Sequence, residues 1–255
     1  MTQQLDERFW EIDLLRGVAI LMMIFYHVLY DLDRFSGLGI EIHTVFWRLF
    51  AVATASLFLL LVGVSLTLSY ARASHTSSEP RLFPKYLNRG ARIFAWALLI
   101  TTVTWVLLGD GFVRWGILHL IGLAIIMAFP LLKLRYVNLA LGSLFLLLGV
   151  LIRNLRVGSS WLLWLGFMPA QFTSVDYFPV LPWFGVVLIG IFVGNSLYPC
   201  YHRKFRLQDR SHVTVIRGLN FLGRHSLLIY LVHQPVLIAM LFLVGAVDIG
   251  ALTGL

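Results

Sequence analysis

IDLLRGVAILMMIFYHVLYDLD, Ile12–Asp33, is the stretch on which the fold turns. From Leu14 to Tyr30 it carries one full charge, Arg16, and one histidine, His27. An apolar run of this length is about enough to cross the ~30 Å hydrocarbon core of a bilayer as a helix. At about 100° per residue, Asp13, Arg16, His27 and Asp31 fall within roughly 60° of one another, so the four side chains share one stripe. Ionisable groups at this depth are costly unless they face the bundle interior or a wet cavity, which makes them candidate functional residues. The structural alternative pairs Asp13 with Arg16 at one interface and His27 with Asp31 at the other, each pair snorkelling to water. Snorkelling alone does not require both pairs to face the same way.

Composition agrees with the membrane reading. Hydrophobic residues make up 59% of the 255 residues and charged ones 13%, with mean hydropathy +0.85, whereas soluble domains are about 25% charged. The runs lack the short alternation of an outer-membrane barrel, so the expected fold is an all-α, polytopic transmembrane bundle. The segment MTQQLDERFWEID mixes acids with bases, and no small-residue cleavage site follows the first run, so that run reads as a retained helix. The single cysteine, Cys200, excludes an internal disulfide and a cysteine-based metal cluster. Histidines and acids are too scattered for a metal motif, and no metal is expected.

Seven spans are predicted: the first run, then about Phe46–Tyr70, Ile93–Leu108, Gly116–Leu132, Val137–Ile152, Leu181–Leu197 and Phe221–Val244. They form one domain over residues 1–255, without internal repeats. The connection from Arg72 to Arg92 and that from Arg203 to Arg217 are rich in Arg and Lys, which assigns both to the cytoplasm. Seven spans then put the N-terminus inside and the C-terminus outside. Only Arg34, Arg48, Arg114, Arg153 and Arg156 lie outside, leaving fifteen of the twenty Lys and Arg within. This bias accounts for the net charge of +8 and removes nucleic acid as a partner. The chain is predicted to be a multi-pass cell-membrane protein in contact with lipid. Small residues such as Gly63 and Thr67 suit internal packing or a homodimer contact.

Two later spans also bury ionisable groups. RWGILHLIG sets His119 about one turn below the outer interface, at a depth like that of His27. GRHSLLIYLVHQP sets Arg224 and His225 near the cytoplasmic surface and His233 about 15 Å higher. Ser226, Tyr230 and His233 follow at i+4 and i+3 steps on one face, and Pro235 predicts a kink after His233. The outer connection Arg153–Val180 adds Asp176 and a belt of aromatic rings, as a surface loop or as a lid over a cavity. Each histidine alone is explained by an interhelical hydrogen bond. Together these groups permit a polar track across the membrane.

Histidine titrates near neutrality and takes protons from attacking amines or hydroxyls. His27 is the candidate base, with Asp31 one turn on to fix its tautomer. Arg16 and Arg224 are placed to hold the phosphates of a cytosolic donor. No glycine-rich phosphate loop and no nucleophile elbow are present, which argues against ATP hydrolysis.

At these residues the chain resembles a known family. EIDLLRG (Glu11–Gly17), RWGILHLIG (Arg114–Gly122) and GRHSLLIYLVHQP (Gly223–Pro235) look like segments of the catalytic domain of heparan-alpha-glucosaminide N-acetyltransferase and of its small prokaryotic relatives. LVGVSLTLSY (Leu61–Tyr70) and DYFPVLPWFGVVLIG (Asp176–Gly190) extend the likeness over nearly the whole chain. The resemblance implies a membrane-bound acyltransferase that takes acetyl from acetyl-CoA in the cytosol to a sugar or other envelope glycoconjugate outside. It implies site roles for Asp13, Arg16, Ser226, Tyr230 and His233. The family's catalytic histidine lies in the outer loop after the first motif helix, where His43 is nearest; this chain carries His27 in addition. The expected catalytic set is therefore His27, Asp31, His119, His233 and His43, with Asp13, Arg16, Arg224, Ser226 and Tyr230 toward acetyl-CoA. Two other classes use the same groups: a proton-coupled transporter, and a scaffold in which they only join helices.

Overall fold

The computed structural model describes residues 8–36, 41–75 and 79–245; both termini, whose sidedness the sequence predicts, lie outside them. The described residues form eight α-helices with short 3-10 turns between them, and no strand beyond two isolated bridges. The helices are α1 (Trp10–Ser36), α2 (Val45–Ser74), α3 (Glu79–Leu108), α4 (Ile117–Ala128), α5 (Tyr136–Ile152), α6 (Val180–Leu197), α7 (Thr214–Arg224) and α8 (Ser226–Leu243).

Five helical segments have the length and hydropathy to cross a membrane: Trp10–Arg34, Val45–Ser74, Leu82–Gly111, Val180–Leu197 and Ser226–Leu243. Ile117–Leu131 and Tyr136–Ile152 are apolar but shorter; at 1.5 Å per residue each falls short of a ~30 Å core. The structure thus supports five of the seven predicted spans by length. Large hydrophobics on the outside of the helices, among them Trp105, Val106, Leu107 and Val150, are exposed as lipid-facing side chains would be. The chain is a membrane protein.

Two elements differ from the sequence reading. The basic connection after α2 belongs to α3 from Glu79 onward, a helix that runs through Pro84. The predicted span Phe221–Val244 is two helices, because His225 leaves helical geometry (φ −100°, ψ 15°) between α7 and α8. Within α8 the helix runs on past Pro235 to Leu243.

The chain separates into two compact units. The first comprises residues up to Phe58 together with those from Leu207 onward, and so contains α1, α7 and α8. Here α1 and α7 cross backbone to backbone: a Cβ on Gly17 would lie 2.1 Å from the Leu219 carbonyl oxygen, and one on Gly223 1.9 Å from that of Asp13. Only glycine permits that approach, the small-residue route by which membrane helices come close. Acids in the first turn of α1, Glu11 and Asp13, and Arg34 in its last turn complement the helix dipole.

The second unit, Leu59–Arg206, holds the rest of α2 with α3 to α6. Gly63 and Gly190 bring α2 and α6 equally close, since a Cβ on either would lie 2.2 Å from a carbonyl oxygen of the other helix. Gly194 packs against Thr67. The small residues of the second span therefore serve internal packing. The connection Arg153–Val180 is not a free loop. It is stitched to the segment between α3 and α4 by Val175 N–H to the Gly111 carbonyl (3.0 Å) and Phe178 N–H to that of Trp115 (2.9 Å). The Tyr177 hydroxyl donates to the Leu163 carbonyl at 2.8 Å, and burial pushes its pKa up to about 12, so it remains a donor.

Candidate active site

The four stripe residues of α1 all reach across to α7 or α8. At the N-terminal end, Asp13 is 2% exposed and gathers three guanidinium groups. Arg16 Nη1 lies 2.9 Å from its Oδ1; Arg8 Nε and Arg224 Nε lie 3.1 and 3.3 Å from its Oδ2. Arg16 also donates to the Gly223 carbonyl at 3.3 Å, tying the cluster to the glycine crossing. A carboxylate offers about four acceptor positions and each guanidinium about five donors, so three arginines on one acid keep donors for an anion. Arg8 and Arg224 present them outward, with side chains 53% and 50% exposed. Such a donor set suits an anionic group such as a phosphate. Ser226 opens α8 two residues after Arg224 and is half-buried.

Eleven residues along α1 from Arg16, about 16 Å at helical rise, His27 meets His233. Their ring centroids are 4.8 Å apart and nearly perpendicular. His27 Nδ1 lies 2.8 Å from the Met23 carbonyl oxygen, and His233 Nδ1 2.6 Å from that of Tyr230. A carbonyl oxygen only accepts, so Nδ1 carries the hydrogen in both rings, and in the neutral imidazoles each Nε2 is a lone pair. His233 Nε2 is buried without a hydrogen-bond partner among the described residues. Tyr230 supplies the carbonyl and a ring 5.4 Å from that of His233.

This geometry corrects one expectation. Asp31 does not orient His27: both of its oxygens accept from Gln234 Nε2, at 2.9 and 3.0 Å, while the Met23 carbonyl fixes the His27 tautomer. The reason is helical, since the carbonyl at i−4 is within reach of a ring directed back toward the helix N-terminus. His233, for its part, is in ring contact with His27. His43 lies on the exposed turn before α2.

His119 belongs to the other unit, where both ring nitrogens are engaged. Gly116 N–H donates to Nδ1 at 3.1 Å, so Nε2 carries the hydrogen and faces Thr101 Oγ1 at 3.3 Å; Thr101 in turn donates to the Val113 carbonyl at 2.7 Å. The ring stacks on Trp115, and Asp176 accepts from Ile117 N–H at 3.1 Å, so both side chains cap α4. His119 here is a structural histidine with no lone pair to offer. Accordingly Thr101→Val, which leaves its buried Nε2–H without an acceptor, is expected to cost about 1–3 kcal/mol of stability and to leave any turnover unchanged. Thermal unfolding in detergent alongside an activity assay checks both.

Gln234 was not singled out from the sequence. It stands beside His233 in an apolar helix, and its signal was an amide where lipid would favour carbon. Arg8 was missed because it precedes the hydrophobic run.

Comparison with known proteins agrees with the motifs. No curated protein and no solved structure matches the chain. A family model described as "Heparan-alpha-glucosaminide N-acetyltransferase, catalytic" matches residues 8–235, from the arginine that grips Asp13 to the proline after Gln234. The chain belongs to the heparan-alpha-glucosaminide N-acetyltransferase catalytic-domain family.

Proposed function

We propose that the protein is an acetyltransferase of the cell membrane that takes acetyl from cytosolic acetyl-CoA to a sugar or other envelope glycoconjugate at the outer face. One observation carries the reading: a single helix, α1, bears an arginine-ringed carboxylate, Asp13, at one end and a histidine with an Nε2 lone pair about 21 Å further on. The family supports the chemistry, and the excess of Arg and Lys in the segments Arg72–Arg92 and Arg203–Arg217 supports a cytoplasmic N-terminus and an outer C-terminus.

In this reading Arg8, Arg16 and Arg224 bind the phosphates of acetyl-CoA, and its extended arm runs along α1 toward His27. His27 Nε2 takes the proton from the attacking N–H or O–H of the acceptor. The acceptor atom bonds to the acetyl carbonyl carbon, the C–S bond breaks, and the departing thiolate takes the proton from the imidazolium. Positioning two reactants in line supplies much of the rate. Nothing observed favours a proton-coupled transporter, which would use the same side chains.

The experiment is binding and transfer with purified protein in lipid nanodiscs, using radiolabelled acetyl-CoA and glucosamine. Specific acetyl-CoA binding with acetyl transfer is expected; no binding by folded protein overturns the reading. Arg224→Gln is expected to raise KM for acetyl-CoA about tenfold, roughly the worth of one charge-assisted hydrogen bond. That loss should deepen with added salt, while KM for the acceptor stays unchanged.

A further inference from the structure

Beside the histidine pair, α1 and α8 are joined by a second contact one residue further along α8, at Gln234, and one turn further along α1, at Asp31. Asp31 is 1% exposed, and the partner its carboxylate has among the described residues is the neutral amide of Gln234. The amide must turn its nitrogen toward the carboxylate, since an ionised carboxylate only accepts. Its oxygen, Oε1, is thereby left buried with no donor among the described residues, as is Nε2 of the adjacent His233. Three kinds of acceptor therefore belong to neighbouring residues of this α1–α8 contact: a carboxylate, an amide oxygen and an imidazole nitrogen.

Buried acceptors without donors are costly, by about 1–3 kcal/mol each, and a buried carboxylate facing only a neutral partner is costlier. A scaffold that merely joined helices would have closed such a set with a hydroxyl or a cation. The missing chemistry is specific: a group that carries several N–H donors and a positive charge.

We propose that Asp31 and Gln234 form the specificity-determining seat of the acceptor, holding a protonated amine against the two histidines. The assignment rests on the acetyltransferase reading and deepens it. Asp31 compensates the charge of the ammonium, Gln234 Oε1 accepts one of its hydrogens, and the surplus proton passes to His233 Nε2. The neutral amine that remains then reacts through His27 as described above, so His233 retains the net proton released when an ammonium becomes an amide. Gln234 has a second, positioning role, because it fixes the carboxylate that does the discriminating.

The test is equilibrium binding of D-glucosamine and of D-glucose, which carries a hydroxyl where the former carries the ammonium, to protein in nanodiscs. Binding needs no turnover, so its outcome is separable from that of the acetyltransferase reading, which acetyl-CoA binding reports independently. Wild type is expected to bind glucosamine at least about tenfold more tightly than glucose, and Asp31→Asn to abolish that preference, an effect of the size a charged hydrogen bond supplies. Acetyl-CoA affinity should be unchanged in the variant and serves as the check on folding. Gln234→Met, which keeps the side-chain volume, is the second variant, expected to weaken glucosamine about threefold or more with acetyl-CoA affinity again intact. Equal affinity of wild type for the two sugars, binding of neither, or a preference that survives in both variants would overturn the seat.

Discussion

His27→Ala lowers the turnover number for acetyl transfer by about 10²- to 10⁴-fold, the contribution of a positioned general base, with acetyl-CoA binding retained. The expectation follows from the locked tautomer: with Nδ1 held by the Met23 carbonyl, the free electrons sit on Nε2, in a ring that packs against that of His233. His27→Gln should lose nearly as much, because an amide fills the space but does not take a proton at neutral pH. Single-turnover kinetics with preloaded acetyl-CoA separate this step from binding. Acetyl transfer at wild-type rate in both variants would remove His27 from the chemistry and leave the Asp13 cluster to stand on its own. His43 offers the contrast: exposed on its turn, it is expected to tolerate alanine with little change in either constant.

Gly223→Ala carries the largest expected effect on stability, about 3 kcal/mol, the upper part of the range for forcing atoms into a packed site. The added methyl would lie 1.9 Å from a backbone oxygen of α1, and backbone cannot rotate aside as a side chain can. The lesion should also loosen the arginine cluster, since Asp13 and Gly223 both lie at the crossing and Arg16 bonds to the Gly223 carbonyl. Two readouts therefore move together, a lower unfolding temperature and a weaker hold on acetyl-CoA. Gly218→Ala is the control: it sits in the same helix with open space where its Cβ would be, and is expected to change neither.

How far the sequence could be read depended on whether the deciding interaction lay within one helix or between two. The stripe Asp13, Arg16, His27 and Asp31 follows from helical period alone, and each of its members does contact α7 or α8. The membrane class follows from hydropathy in the same way, and the family motifs were legible because their order and spacing survive in the primary chain. Partners across helices were not. His27 and Asp31 are neighbours on the wheel, so pairing them was the natural local choice, yet a backbone carbonyl from the previous turn and an amide from a distant helix took their places. His119 shows the same limit from the other side. A histidine in an apolar helix looks alike from sequence whether its nitrogens are free or satisfied, and here the backbone of Gly116 and the hydroxyl of Thr101 decide it. Chain lengths misled in a third way, because Phe221–Val244 is long enough to span while its apolar count says nothing of a break at His225.

That break has a mechanical meaning. α7 is riveted to α1 through bare backbone, whereas α8 hangs from α7 by a single residue outside helical geometry. Tilts or register errors introduced into α8 are absorbed at that joint before they reach the arginines, so the two ends of α1 form separate fault zones. A library of changes in α8 would impair the histidines and leave the anion grip intact.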